Sequence, residues 1–268
     1  MYSPSGEDPT TRTGAAVRHT AFTPAGDLIA WTEAAGEGPA RVYVHGLGAA
    51  CAPYHAHVAA DPALAGRRSL FVDLPGHGLS DRPRGFGYTL EDHARALGRV
   101  LDAAGIRGAE VVGHSMGGSV AVVLAHHRPE LVSRLVLAEP NLDPDPPATA
   151  GSSGIARYTE EEFVHGGGMA RTLERVGPVW RATMRLADPT ALHRSAVGLV
   201  RGTRPTMRRL LTGLGVPRTL LTGALSPAPA GRAELAAAGV RLVTVPGAGH
   251  NIMFDNPAGY TAAIAARP

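Results

Sequence analysis

The chain has a single cysteine, Cys51, among 268 residues. That excludes an intramolecular disulfide and any cysteine-based zinc cluster, and it does not demand an oxidising compartment. No apolar run approaches the length of a membrane span, so no membrane insertion is expected. The opening stretch MYSPSGEDPTTRTGAAV lacks the apolar centre of a secretory signal. Its Ser, Thr, Pro, Gly and Asp content reads as a disordered or loosely attached lead-in over residues 1–16. A cytoplasmic location follows by default. There is no dense basic block either. The formal charge is only +3, with Arg and acidic residues interspersed, which argues against nucleic acid as a partner. Internal repeats and extended low-complexity tracts are also missing. What remains, 44% hydrophobic and 18% charged, is the composition of a globular chain able to bury a large core.

Between Arg41 and Leu142 strand-like and helix-like runs alternate. RVYVHG is a short β-branched run ending in glycine, and RRSLFVDLPGHG repeats the form, with Asp73 entering a Pro/Gly turn. YTLEDHARALGRVLDAAG has helical spacing, with Thr89 as N-cap and Gly105 as stop. AEVVGHS is a third strand, MGGSVAVVLAHHRPE a helix, and VSRLVLAEP a fourth strand. This alternation predicts a parallel sheet with helices on both faces. VRHTAFTPAGDLIAWTEA reads as a hairpin turning through Pro24-Ala25-Gly26-Asp27. PRTLLTG and VRLVTVPG are later strands, and a closing helix runs from Pro257 to Ala266. The interval 143–215 opens on a proline cluster and continues as helix-like pieces, so it reads as a helical cap between core segments 17–142 and 216–268.

One short stretch carries chemistry. Gly113-His114-Ser115-Met116-Gly117 fits G-x-S-x-G between a strand and a helix. There the serine occupies a sharp turn that lifts its hydroxyl above the sheet edge, and glycines two residues either side relieve the crowding. Gly118 lets the helix approach its neighbours closely. Ser115 is therefore the expected nucleophile. A serine hydroxyl needs a base, and imidazole has a suitable pKa. His250 lies in PGAGHNIMFDNP, on a glycine-bearing loop between the last strand and the closing helix. His114 reads as packing beside the turn, His45 and His77 as holding loop geometry, and His126 and His127 as helix-surface residues. The Met116 amide, at a helix N-terminus, suits an oxyanion.

Taken together, VYVHGLG, VDLPGHGLSDRP, VVGHSMGG and VPGAGHNIMFDNP resemble the α/β-hydrolase family in order and spacing, from about Val17 to the C-terminus. The resemblance implies an α/β fold with a mostly parallel eight-stranded sheet and a helical cap inserted after the sixth strand. It also implies a nucleophile–acid–histidine set in that chain order, with His250 as base and the Leu47 backbone N–H as the second oxyanion donor. Leu47 and Met116 would also form part of the acyl-pocket wall.

The acid departs from the commoner family pattern. Where G-x-x-D-P is usual after the seventh strand, this chain has Gly223-Ala224-Leu225-Ser226-Pro227, with Ser226 in the aspartate's place. Some members draw the acid from the end of the sixth strand, and here that strand ends in Glu139. Pro140 is expected to hold Glu139 extended, and a carboxylate closing an apolar run needs a partner. Glu139 is thus the favoured acid, with Asp143, Asp145 or no acid at all as alternatives, while Asp73 is expected to pin its turn.

The expected function is a serine hydrolase cleaving a carboxylic ester, lactone or thioester of a small or medium apolar substrate through an acyl-enzyme. A serine at the nucleophile position argues against dehalogenase and epoxide hydrolase chemistry, which use aspartate there. The same site could serve carbon–carbon hydrolysis, acyl transfer or perhydrolysis, and a non-catalytic ligand-binding protein on this fold is a third reading. Nothing in the sequence calls for a cofactor or metal. His45, Trp180 and Met184 are candidate substrate contacts, whereas most of Phe163, Met169, Leu186 and Met207 would be core of the cap. Arg157, Arg171, Arg181 and Arg185 could meet an acid group or coenzyme A, but a solvated helix face is the default.

Overall fold

The β-branched and leucine-rich runs pair edge to edge into one sheet in the computed structural model, which describes residues 17–144 and 153–267. The expected lead-in at 1–16, Asp145 and part of the proline cluster lie outside the described residues. β1 (Val17–Ala21) and β2 (Leu28–Ala34) form the expected hairpin, with Ala21 opposite Leu28. β3 (Glu37–Val44), α1 (Cys51–Ala59), β4 (Arg67–Asp73), α2 (Leu90–Ala103), β5 (Ala109–His114), α3 (Met116–His127) and β6 (Val132–Ala138) follow. Between β6 and the next strand come α4 (Glu160–Val164), α5 (Gly168–Arg175), α6 (Pro178–Met184), α7 (Pro189–Arg201) and α8 (Met207–Gly213). β7 (Arg218–Gly223), α9 (Arg232–Ala237), β8 (Val240–Val245), α10 (Ile252–Asp255) and α11 (Pro257–Ala265) complete the chain. Among the described residues no helix is long and apolar enough to cross a membrane.

The eight strands lie in the order β1-β2-β4-β3-β5-β6-β7-β8. β1 and β2 pair antiparallel, as do β2 and β4, and the remaining pairs are parallel. Register brings the carboxyl ends of the central strands together: Val44 is opposite Gly113, His114 opposite Ala138, and Ala138 opposite Leu221. Loops leaving β3, β5, β6, β7 and β8 therefore meet at one edge, where open α/β sheets place their ligand crevice. Helix ends follow local chemistry. Thr89 caps α2 through a reciprocal box with Asp92, and Gly105, at φ +64°, follows its last turn. Within the helical interval, PVWRATMRLADPTALHRSAVGLVRG forms two helices, α6 and α7. Asp188 caps α7 by accepting the Ala191 N–H at 2.9 Å, and Pro189 opens its first turn, where no amide donor is required.

Two buried polar systems sit within this frame. At the amino end of the central strands, Glu110 bridges Arg41 of β3 and Arg134 of β6, and Arg134 also donates to the Ile264 carbonyl at 2.8 Å. Burial alone would raise the Glu110 carboxyl, yet Arg41 and Arg134 hold it below its ordinary value. Elsewhere six imidazoles are buried among the described residues: His45, His55, His77 and His93 completely, His114 to 3% exposure and His193 to 7%. Burial holds His45 down to about 4 and both His55 and His77 to about 3, with His93 and His114 also well below the ordinary value.

Candidate active site

Ser115 joins β5 to α3 in a backbone conformation that L residues rarely adopt, φ +50° and ψ −121°. The flanking glycines are required by contact. A Cβ on Gly113 would stand 2.6 Å from the Gly117 carbonyl oxygen, and one on Gly117 would stand 2.4 Å from the carbonyl oxygen of Val44. Only a chain without side chains at both positions can make so tight a strand-to-helix turn. The Ser115 N–H donates to the Ala138 carbonyl at 2.8 Å, tying the turn to the end of β6. Gly118 and Ser119 donate back to the Ser115 carbonyl at 2.9 and 3.2 Å. The Met116 amide precedes these first bonds of α3, so it belongs to the unsatisfied donors of the helix N-terminus.

Glu139 corrects one expectation. β6 ends at Ala138, and Glu139 is not extended; it sits at φ +52°. The preference imposed by Pro140 is overridden by two bonds to β7. The Glu139 N–H donates to the Leu221 carbonyl at 3.0 Å, and Oε1 accepts from the Gly223 N–H at 2.7 Å. The side chain consequently lies across the end of β7, leaving Oε2 3.7 Å from His250 Nδ1. That separation is an ion-pair contact longer than a hydrogen bond, and unliganded sites of this kind tighten when a ligand binds. Asp143, an alternative acid, is engaged by Arg208 Nε at 2.9 Å. Asp73 pins its turn as expected, accepting from Cys51 N–H at 2.7 Å and Leu79 N–H at 3.0 Å.

The His250 loop is anchored on both sides. His114 Nε2–H donates to the His250 carbonyl at 2.9 Å, and the Gly249 N–H donates to Asp255 Oδ2 at 2.9 Å. With Nδ1 facing Glu139, the opposite ring nitrogen is the one available to the serine side. Ser115, His250, Leu47 and Trp180 together line a cavity of about 180 Å³ beneath α6 and α7. The Trp180 indole donates to the Leu47 carbonyl at 2.7 Å, and Thr183 donates to the Gly48 carbonyl at 3.0 Å, so α6 is latched onto the loop after β3.

Two candidate contacts do not reach this cavity. His45 donates through Nδ1 to the Gly46 carbonyl at 2.7 Å and accepts the Leu74 N–H at Nε2 at 2.9 Å, which fixes a neutral ring that shapes its loop. Met184 is fully buried, packed beside Gly48, in the core under α6. The cap arginines also stay away from the cavity lining. Arg171 lies over the Tyr158 ring at 5.4 Å, and Arg181 donates to the Glu174 and Val176 carbonyls at 3.1 and 3.2 Å. Sequence reasoning missed Tyr54, Asn141, Ser153, Leu199 and Val200, which line the cavity from α1, the segment after β6 and the helical insertion. Their convergence depends on how those elements pack, and no local pattern signals it.

Known proteins resemble this chain in sequence and in fold. Residues 41–160 match the family model described as alpha/beta hydrolase fold. Over 124 residues the chain is 36% identical to a 2-hydroxymuconate semialdehyde hydrolase of Pseudomonas putida, covering 46% of this chain and 44% of the relative. Over 101 residues it is 45% identical to a 2-hydroxy-6-oxononadienedioate/2-hydroxy-6-oxononatrienedioate hydrolase of Burkholderia vietnamiensis, covering 37% of this chain and 35% of the relative. The chain thus matches less than half the length of these curated relatives. The solved structure of a thermophilic esterase from Thermogutta terrifontis superposes with a TM-score of 0.73 at 23% identity, covering 93% of this chain and 97% of that one. With its eight-stranded, mostly parallel sheet, the chain has the α/β-hydrolase fold, and residues 41–160 resemble that family.

Proposed function

We propose that the protein is a serine hydrolase that cleaves a carboxylic ester, lactone or thioester through an acyl-enzyme. The observation that carries this reading is the convergence of Ser115, His250 and Glu139 at the carboxyl edge of the sheet, with His250 Nδ1 3.7 Å from Glu139 Oε2. In the proposed cycle His250 Nε2 takes the Ser115 proton as Oγ bonds to the acyl carbon. The carbonyl π electrons move to oxygen, and the Leu47 and Met116 amides hold the resulting oxyanion. Collapse breaks the bond to the leaving group, which departs with the proton from His250. Water then gives a proton to His250, attacks the acyl-serine, and releases the acid while Ser115 recovers its proton. Glu139 holds the ring's tautomer and stabilises its charged form. The helices between β6 and β7 act as the cap that closes the acyl cavity.

A serine-directed fluorophosphonate tests this directly. Labelling of the wild type that disappears in Ser115→Ala, together with turnover of p-nitrophenyl butyrate, is the expected result. An unlabelled, inactive wild type would instead favour the non-catalytic ligand-binding reading. The names of the two curated relatives favour one second reading, hydrolysis of an oxo-acid substrate by the same residues.

A further inference from the structure

The lining of the cavity speaks to what it accepts. Resting on the hydrolase reading above, we infer that the substrate is a small, uncharged acyl compound bearing a hydroxyl that hydrogen-bonds the Asn141 carboxamide. At about 180 Å³ the cavity is smaller than the pockets that enclose drug-sized ligands, roughly 300–1,000 Å³. Its walls are mostly carbon, supplied by Leu47, Ala49, Trp180, Ala196, Leu199 and Val200. The chain carries 26 cationic residues, yet among the described residues no arginine lines this space. Two guanidinium groups of the cap helices are committed elsewhere. Arg175 donates to the Ser153 carbonyl at 2.5 Å, and Arg194 clasps Glu160 at 2.8 and 2.9 Å. A carboxylate held here would lose its hydration with no cation to replace it, so anionic acyl groups are disfavoured. A dioate, the substrate class in the name of the Burkholderia relative, is the kind of ligand this lining rejects.

Asn141 supplies the hydroxyl requirement. Its main chain is fixed, because Ser119 Oγ–H donates to the Asn141 carbonyl at 3.0 Å. The side-chain Oδ1, by contrast, is buried without a hydrogen-bond partner among the described residues, although the residue lines the cavity. A buried acceptor left unmade is destabilising, and a ligand donor is the natural means of satisfying it. A hydroxyl fits because it can both give and take a hydrogen bond with a carboxamide.

The test compares three p-nitrophenyl esters on the intact protein: butyrate, 3-hydroxybutyrate and hemisuccinate. The expected order in kcat/KM is hydroxybutyrate about tenfold above butyrate, and hemisuccinate at least about tenfold below it. Asn141→Leu and Asn141→Ser, each checked for an unchanged circular dichroism spectrum, should shrink the hydroxybutyrate-to-butyrate ratio in the order Leu more than Ser. Hemisuccinate turned over as well as butyrate would overturn the uncharged-substrate inference. A wild type indifferent to the hydroxyl, or a ratio unmoved in Asn141→Leu, would overturn the role of Asn141. Failure on all three esters with no fluorophosphonate labelling would strike the hydrolase reading itself.

Discussion

Ser115 and Glu139 share an unusual property, since both are non-glycine residues with positive φ at the carboxyl edge of the sheet. Each such residue costs about 1–3 kcal/mol, so the surrounding bonds must hold it there. For Ser115 the holding is done by the bond to Ala138 and by the glycine contacts; for Glu139 it is done by β7. Glu139→Gln keeps the shape but removes the charge facing His250. It should lower kcat by about 10²–10⁴-fold with little change in KM and an unchanged circular dichroism spectrum. Retention of full kcat would remove Glu139 from the catalytic set. Gly117→Ala should be more drastic, because its Cβ would meet backbone oxygen of Val44 and His45 at 2.4 and 2.5 Å. Loss of both activity and thermal stability, read by calorimetry, is the expected outcome. The identities of these residues were legible in the sequence, but the conformation of Glu139 was not. The rule for residues before proline speaks of local sterics, and two hydrogen bonds from a strand distant in sequence outweigh it.

At the scale of elements, Glu139 reaches from the end of β6 to the amide that closes β7, the strand after which the family's acid more commonly sits. The turn after β7 is itself tied to the histidine loop, since Leu225 N–H donates to the Ala248 carbonyl at 2.9 Å. Placing a carboxylate at that turn should therefore restore part of what Glu139 supplies. In a Glu139→Ala background, adding Ser226→Asp is expected to raise kcat by about tenfold relative to the single variant. No gain would show that the β7 turn cannot present a carboxylate to His250. Strands and the long helices of the core were readable because β-branched runs, caps and glycine stops all agree there. α1 was not read, as its residues, CAPYHAHVA, are apolar or ambiguous around the whole helix and give little periodicity. The rest of the cavity lining was equally unreadable, because it is assembled from α1, the β6 exit and α7.

For the whole molecule, the governing feature is the set of neutral histidines packed into the scaffold. Their folded pKa values lie below the unfolded value near 6.5, with His45 at about 4 and His55 and His77 at about 3. The unfolded chain therefore binds more protons in this window. Stability is whole above pH 6.5 and is lost as pH falls toward 4 and below. Each such group contributes a slope of up to about 1.4 kcal/mol per pH unit, against a total stability of about 5–15 kcal/mol. Denaturant melts from pH 7.5 to 4.5 should show the midpoint falling steeply below pH 6. A midpoint constant to pH 4.5 would contradict the burial of these rings as neutral groups. Glu110 adds to the same trend, its depressed carboxyl being protonated only at still lower pH. At pH 7, Glu110→Gln should destabilise the protein by about 3–5 kcal/mol by stranding Arg41 and Arg134.

These rings also govern how a rate profile would be interpreted. One catalytic imidazole switches off with acid along a limb of unit slope, whereas a scaffold that admits several protons on opening gives a steeper, time-dependent fall. Activity lost on the acid side and regained only slowly after neutralisation would be reporting on the frame and not on His250. Chemistry at the site would then be separable from the state of the frame only in assays shorter than the opening time of the fold.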